Sequence, residues 1–261
     1  MVGLKSAQEI EMMRHAGRVV AEALAAMRDA IVPDRTTTLE LDEVAAAVFK
    51  RHGAKSAFLG YRPPFSSVKY LHNTCISVNE QVVHGIPGKR VLRPGDIVSI
   101  DTGAAVDGWY GDSAITVAVG EISSAAKNLM TVTQEALSKG IAQAQVGNHI
   151  GDISAAVQRH AERGRYGVVR SLVGHGIGRE PHEEPQVPNY GRPGRGMLLK
   201  AGMVICIEPM INMRGYDVAQ APGDDWTIVT ADGSLSAHFE HTVAITDNGP
   251  DLLTLTARPE K

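Results

Sequence analysis

The sequence predicts an α/β (α+β) protein, a single domain made of two related halves in which helices flank hairpin-forming strands. Three observations carry that prediction. Two amphipathic helices precede a series of short apolar strands; the same order returns roughly a hundred residues later; and several segments of the two passes can be superposed residue for residue. The halves fall at roughly 1–120 and 121–255 with no linker between them, so one shared core over 1–261 is expected.

The first helix opens on Ser6-x-x-Glu9, a capping-box pattern that satisfies the free amides of a first turn. Ile10, Met13, Gly17, Val20, Leu24 and Met27 then recur at steps of three and four, and Pro33 ends the run. A second helix opens near Thr37-x-x-Glu40, lays Leu41, Val44, Ala45 and Val48 on one face, and stops at Gly53. Ile97-Val98-Ser99-Ile100 and Ile115-Thr116-Val117 read as strands flanking a turn at Asp107-Gly108. In the second pass Ala125, Leu129, Val132, Ala136 and Leu137 mark a long helix. Ile153, Ala156, Val157 and His160 mark a shorter one ending near Gly164. Strands follow around Val204-Ile205-Cys206-Ile207 and Trp226-Thr227-Ile228-Val229, and Asp232-Gly233 turns the chain into Thr242-Val243-Ala244-Ile245.

The segment from Leu92 to Asp101 matches that from Leu199 to Glu208, and Asp112-Ser113-Ala114-Ile115-Thr116 resembles Glu240-His241-Thr242-Val243-Ala244. Glu43-Val44-Ala45-Ala46-Ala47 echoes Asp152-Ile153-Ser154-Ala155-Ala156, and His84-Gly85 echoes His175-Gly176. Any one match is the sort that apolar strands produce by chance. A set of them in one order points to a duplicated half-domain.

Composition bounds the function. The 261 residues are 43% apolar and 21% charged, which leaves ample core and excludes a disordered chain. A net charge of −3 argues against a protein that lives by holding nucleic-acid phosphates. No apolar run approaches the ~18 residues of a membrane span. The start, Met1-Val2-Gly3-Leu4-Lys5-Ser6, has no apolar signal core, and Cys75 and Cys206 make no disulfide framework, so a cytoplasmic protein is expected.

The superposition aligns carboxylates with carboxylates: Asp101 with Glu208, and Asp112 with Glu240. All four border apolar runs, where an unpaired charge is costly. A hairpin about the Asp107-Gly108 turn would bring Asp101 near Asp112. Two such pairs facing each other would repel unless cations lay between them. A lone acid here would more often cap a strand or pair with an arginine; four at equivalent positions, beside histidine-bearing loops, read as a metal cage. Those loops carry His175 within Gly174-His-Gly-Ile-Gly178, His182 within Pro181-His-Glu-Glu-Pro-Gln186, and His84 within Val82-Val-His-Gly-Ile-Pro87. His15, His52, His149 and His160 lie in helical or turn contexts and read as structural.

Taken together these segments resemble the methionine aminopeptidases. The resemblance rests on His84-Gly-Ile-Pro, Ser99-Ile-Asp-Thr-Gly, Gly111-Asp-Ser, Gly174-His-Gly-Ile-Gly, His182-Glu-Glu-Pro-Gln-Val, Ile207-Glu-Pro-Met and Phe239-Glu-His-Thr, and runs from about Lys5 to Leu255. It is similar to the type I bacterial form, with no long helical insertion and no N-terminal extension. The resemblance implies the pita-bread fold, two pseudo-symmetric halves closing on a dinuclear metal site. It implies the ligands Asp101, Asp112, His175, Glu208 and Glu240, with Asp101 and Glu240 bridging, around two divalent ions of Co, Mn, Fe or Zn.

The implied activity is removal of the N-terminal methionine from nascent polypeptides and peptides whose second residue is small, through a metal-activated hydroxide. Glu208 would relay the proton, His182 would meet the carbonyl oxygen and His84 the scissile amide nitrogen. Phe58, Tyr61, Cys75 and Trp226 would line the methionine pocket. Two departures bear on that pocket: the stretch from Arg62 to Tyr70 is long, leaving a second pocket tyrosine unplaced, and Pro181 stands where an aromatic residue often precedes the histidine. The implied setting is a monomer in transient contact with the ribosome, with no specific nucleic acid and no membrane. An X-Pro aminopeptidase or prolidase-like hydrolase shares the ligand pattern but usually carries a further N-terminal domain. A non-catalytic pita-bread module that binds peptides would usually have lost ligands that stand here.

Overall fold

The computed structural model describes residues 2–62 and 68–256. Its first helices start where local chemistry dictates. α1 (Ala7–Asp29) begins with the Ser6 hydroxyl accepting the Glu9 amide at 3.3 Å while the Glu9 carboxylate accepts the Ser6 amide at 2.8 Å. α2 (Thr38–His52) repeats the device with Thr37 and Glu40 at 3.2 and 2.7 Å, and Gly53 closes it at φ 61. Val20, Leu24 and Met27 of α1 meet Leu41, Ala45 and Val48 of α2 in one buried cluster with Ile100 and Val98. Fully burying side chains of this size is worth roughly 1.5–3 kcal/mol each, which fastens both helices to the sheet.

The strands of the first pass are β1 (Lys55–Ser56), β2 (Cys75–Val78), β3 (Gln81–Val83), β4 (Ile97–Val106) and β5 (Trp109–Ala118). Asp107 and Gly108 join β4 to β5 with φ of 51 and 75, the left-handed pair that a two-residue hairpin requires. This hairpin is longer than the apolar runs alone indicate: β4 continues through Gly103, Ala104, Ala105 and Val106, and the added length carries Asp101 and Asp112. The helices α3 (Ser124–Ile141) and α4 (Ile150–Arg163) follow. Ser123 caps the first, and the Asp152 carboxylate accepts the His149 amide at the start of the second.

The remaining strands are β6 (Gly167–Val168), β7 (Gly174–Gly176), β8 (Glu183–Val187), β9 (Val204–Ile207), β10 (Met210–Asn212), β11 (Val218–Gln220), β12 (Ile228–Thr230), β13 (Ser236–His238), β14 (Glu240–Thr246) and β15 (Gly249–Leu252). Nine strands from both passes form one antiparallel sheet in the order β1-β4-β5-β14-β9-β7-β8, with β2 added on β4 and β15 on β14. Two three-stranded sheets, β13-β10-β6 and β11-β12-β3, complete it. One expected strand starts late. Residues Trp226 and Thr227 lie before β12 because the Asp224 carboxylate takes both their amides, at 2.8 and 2.6 Å, and holds them in a turn. No described helix is long and apolar enough to cross a membrane. Of the Arg62–Tyr70 stretch, residues 63–67 lie outside the described residues.

Candidate metal centre

Register puts the candidate carboxylates on one face of the large sheet. Across the β4–β5 hairpin Asp101 pairs with Ala114 and Gly103 with Asp112. Asp112 therefore sits diagonally from Asp101, on the same side of the pleat. Glu240 pairs with Ala114 from the other side of β5, so Asp101 and Glu240 flank one small buried residue in a row across three strands. Cys75 extends the row opposite Asp101. On β9, Cys206 pairs with Thr242 and so shares the face of Glu240, and Glu208 follows just past the strand.

Ligand oxygens of Asp101, Asp112 and Glu240 lie within 4.8 Å of one another, as do single donor atoms of His175, Cys206 and Glu240. His175 Nε2 is 3.6 Å from Glu208 Oε1. Among the described residues, the basic groups within 4.0 Å of these four acids are both imidazoles, His175 and His238, each against Glu208. Asp101 Oδ1, Asp112 Oδ1 and Glu240 Oε1 are buried with no hydrogen-bond partner among the described residues. Burial, reinforced by the neighbouring acids, holds the carboxyls of Asp101, Asp112 and Glu240 well above their ordinary range, and burial pushes Glu208 up to about 8. Acids that cannot ionise together without a counter-charge, with lone pairs unspent, fit divalent cations.

His175 adds an imidazole nitrogen beside these acids. It lies on β7 between two glycines that close packing demands: a Cβ at Gly174 would sit on the Cys206 carbonyl oxygen, and one at Gly176 on that of Glu184. Its Nδ1 is 2.9 Å from the Gly176 carbonyl, which can only accept. Nδ1 therefore carries the hydrogen and Nε2 presents a lone pair to the acids. Burial lowers this imidazole to about 3, so it is neutral, as a ligand must be.

The other two histidines flank the acids. His182 is exposed, its ring 4.3 Å from that of His175 and 5.1 Å from Tyr61. Its loop is tied down by Glu183, which accepts the Arg179 amide at 2.7 Å and pairs with Lys5 at 2.7 Å. His84 follows β3 with φ 60, a left-handed backbone that few non-glycine residues adopt and that aims its ring toward the edge of Trp226, 6.5 Å away. Burial, with His238 and His182 adding to it, lowers His84 to about 4.

The four expected pocket residues are distributed unevenly. Cys75 is buried beside Asp101, Trp226 stands near His84, and Tyr61 covers His182. Phe58 is half-buried at the start of the same loop, where its carbonyl accepts the Tyr61 amide. Tyr70, in the stretch where the sequence left a second pocket tyrosine unplaced, stands beside Trp226. It is buried, meets Trp226 edge-on at 5.0 Å, and donates its hydroxyl to the Thr74 carbonyl at 2.8 Å. Sequence reasoning also missed His238, fully buried, with neither ring nitrogen hydrogen-bonded among the described residues and Nε2 3.6 Å from Glu208 Oε2. Its one sequence signal was its place two residues before Glu240. Asn189, whose amide donates to the Glu208 carbonyl at 3.0 Å, had none.

The chain is similar to known proteins over nearly its whole length. The model of metallopeptidase family M24 matches residues 11–247. A methionine aminopeptidase of Clostridium acetobutylicum is 50% identical over 256 residues, covering 98% of this chain and 99% of that protein. The crystal structure of methionine aminopeptidase from Thermotoga maritima superposes with a TM-score of 0.93 at 46% identity, covering 98% of this chain and 100% of that one. A prolidase from Pyrococcus furiosus shares the fold at a TM-score of 0.77 and 25% identity, but this chain covers only 66% of it. The fold is the pita-bread fold that these proteins share. This chain belongs to metallopeptidase family M24 and, within it, to the methionine aminopeptidases.

Proposed function

We propose that this enzyme removes the N-terminal methionine from peptides and nascent proteins with a small second residue, using two divalent ions held by Asp101, Asp112, His175, Glu208 and Glu240. The observation that carries the reading is the row of buried acids with unspent oxygens, closed by a neutral imidazole whose free nitrogen faces them. Ions of the Co, Mn, Fe or Zn class bound there would supply a nucleophilic water at neutral pH and polarise the substrate carbonyl.

The chain's own residues do the rest. Glu208, ionised once the cations offset its burial, would accept a proton from the attacking water and pass it to the departing amine. His182, at the rim, donates to the carbonyl oxygen as charge develops, an interaction stronger in the transition state than in the ground state. His84 meets the scissile nitrogen from the opposite side. Tyr70, Cys75 and Trp226 form the apolar wall against which a thioether packs, with Phe58 and Tyr61 on the loop above. His84, His182 and Tyr61 crowd the space beyond the scissile bond, which favours glycine, alanine or serine there. The reading places the enzyme in the cytoplasm as a monomer in transient contact with the ribosome, where new N-termini emerge.

The test is hydrolysis of a Met-Ala peptide by protein stripped of metal and then resupplied. Stripped protein should be inactive and should recover with about two ions per chain. Cleavage of Leu-Ala or X-Pro peptides as fast as Met-Ala would overturn the specificity. Full activity after stripping would overturn the mechanism.

A further inference from the structure

The sheet face that carries the acids also carries a thiol that the proposed chemistry does not use. Cys206 is fully buried, and one donor atom each from Cys206, His175 and Glu240 lie within 4.8 Å of one another. The thiol makes a weak contact with the Thr242 hydroxyl at 3.6 Å, and that hydroxyl also exchanges hydrogen bonds with the Asp112 backbone. Glu240, itself 3% exposed, has an oxygen without a hydrogen-bond partner among the described residues, and Nε2 of His175 lies 3.6 Å from Glu208 Oε1. Sulfur, imidazole and carboxylate together make a donor set unlike the all-oxygen group of Asp101, Asp112 and Glu240, and soft donors select soft ions.

We propose that His175, Cys206 and Glu240 form an alternative site for a thiophilic divalent cation of the zinc or cadmium class, competing with the oxygen-rich arrangement for two shared ligands. Binding breaks the Cys206 S–H bond, forms a sulfur–metal bond and releases the proton to solvent; no electrons are transferred. Hard ions such as Mn²⁺ bond sulfur weakly and favour the all-oxygen group, whereas zinc-class ions form strong bonds to sulfur. Because His175 and Glu240 serve both arrangements, a cation held by sulfur withdraws donors from the productive pair. Excess Zn²⁺ then inhibits by rearranging ligands, and metal choice depends on one thiol. The inference rests on the reading of these residues as metal ligands.

The experiment uses the full chain stripped of metal and loaded separately with Zn²⁺ and Mn²⁺, and reads the metal shell by X-ray absorption. In wild type the Zn²⁺ shell should contain one sulfur at about 2.3 Å, and the Mn²⁺ shell none. The chain has two cysteines, so the two single variants assign the sulfur. Cys75→Ser should keep it, whereas Cys206→Ser should lose it and bind Zn²⁺ about tenfold or more weakly, with Mn²⁺ affinity within about threefold of wild type. A Zn²⁺ shell of nitrogen and oxygen alone in wild type overturns the proposal, as does a sulfur that survives Cys206→Ser. Should Cys206→Ser fail to fold, sulfur present or absent in Zn²⁺-loaded Cys75→Ser decides alone. Failure of the underlying metal reading would look different: wild type would then bind no Mn²⁺ either.

Discussion

Glu208→Gln in the metal-stripped enzyme isolates the energetic cost of gathering these acids. Burial pushes the Glu208 carboxyl up to about 8 from an ordinary 4.5. An acid whose folded value is raised adds no penalty below its unfolded value, where both states are protonated. As pH climbs past that point the unfolded chain ionises while the folded one holds its proton, so stability falls until pH passes the folded value. One such proton is worth ~1.4 kcal/mol per pH unit. Between pH 5.5 and 7.5 wild type should therefore lose about 2.5 kcal/mol relative to Glu208→Gln, since the group is nearly fully protonated when folded and nearly fully ionised when unfolded across that window. The buried histidines, lowered to about 4 at His84 and His241 and about 3 at His175 and His238, act in the opposite sense. They lose stability as pH falls through the range where an unfolded imidazole protonates; His84 and His241 drop out of the difference, and His175 and His238, which face Glu208, stay neutral in the folded state across this window. Urea unfolding of both proteins in chelator, at several pH values, measures it. A difference that stays flat with pH, or a wild type that gains on the variant as pH rises, refutes the reasoning.

Asp101→Asn and Glu240→Gln should each abolish tight metal uptake and activity together, measured by metal analysis after dialysis and by Met-Ala hydrolysis; two retained ions with normal turnover would exclude a bridging role. His175→Ala should lose metal as well as rate, whereas His182→Ala should keep its ions and lose about 10²–10³ in kcat, the usual cost of one donor to a developing oxyanion. A His182→Ala enzyme that binds no metal, or turns over within about tenfold of wild type, would reduce that histidine to a loop residue. Gly174→Ala should destabilise by about 1–3 kcal/mol in urea, because its Cβ would meet the backbone carbonyl of Cys206 rather than a side chain able to move.

The parts of the fold governed by neighbours in sequence were legible. Ser6 with Glu9 and Thr37 with Glu40 start their helices through contacts three residues apart, and Asp107-Gly108 sets a hairpin through its own backbone angles. The internal repeat made the acids legible as a set, since it aligned Asp101 with Glu208 and Asp112 with Glu240 before any contact was known. Strands of two to five residues such as β6, β7 and β8 carry too few positions for a period to show. The Trp226 boundary moved for a related reason: an apolar run reads as strand, and the Asp224 carboxylate that takes its amides lies outside that run.

Cys206 shows where reading by pattern stops. Val204-Ile205-Cys206-Ile207 is buried on both faces, so the run looks uniformly apolar and conceals that alternate residues meet different surroundings. Ile205 and Ile207 join a cluster with Val243 and Ile245, while Cys206 meets Thr242 and the acids. Only the pairing of β9 with β14 separates the two faces, and a shift of one residue would turn Ile205 and Ile207 toward the carboxylates. That register is fixed by the packing of the apolar face, so the cluster of isoleucines and valines behind the sheet is what holds the donor atoms in place in front of it. An Ile205→Ala change would therefore act on the donors through the position of β9, from the apolar cluster in which its side chain packs.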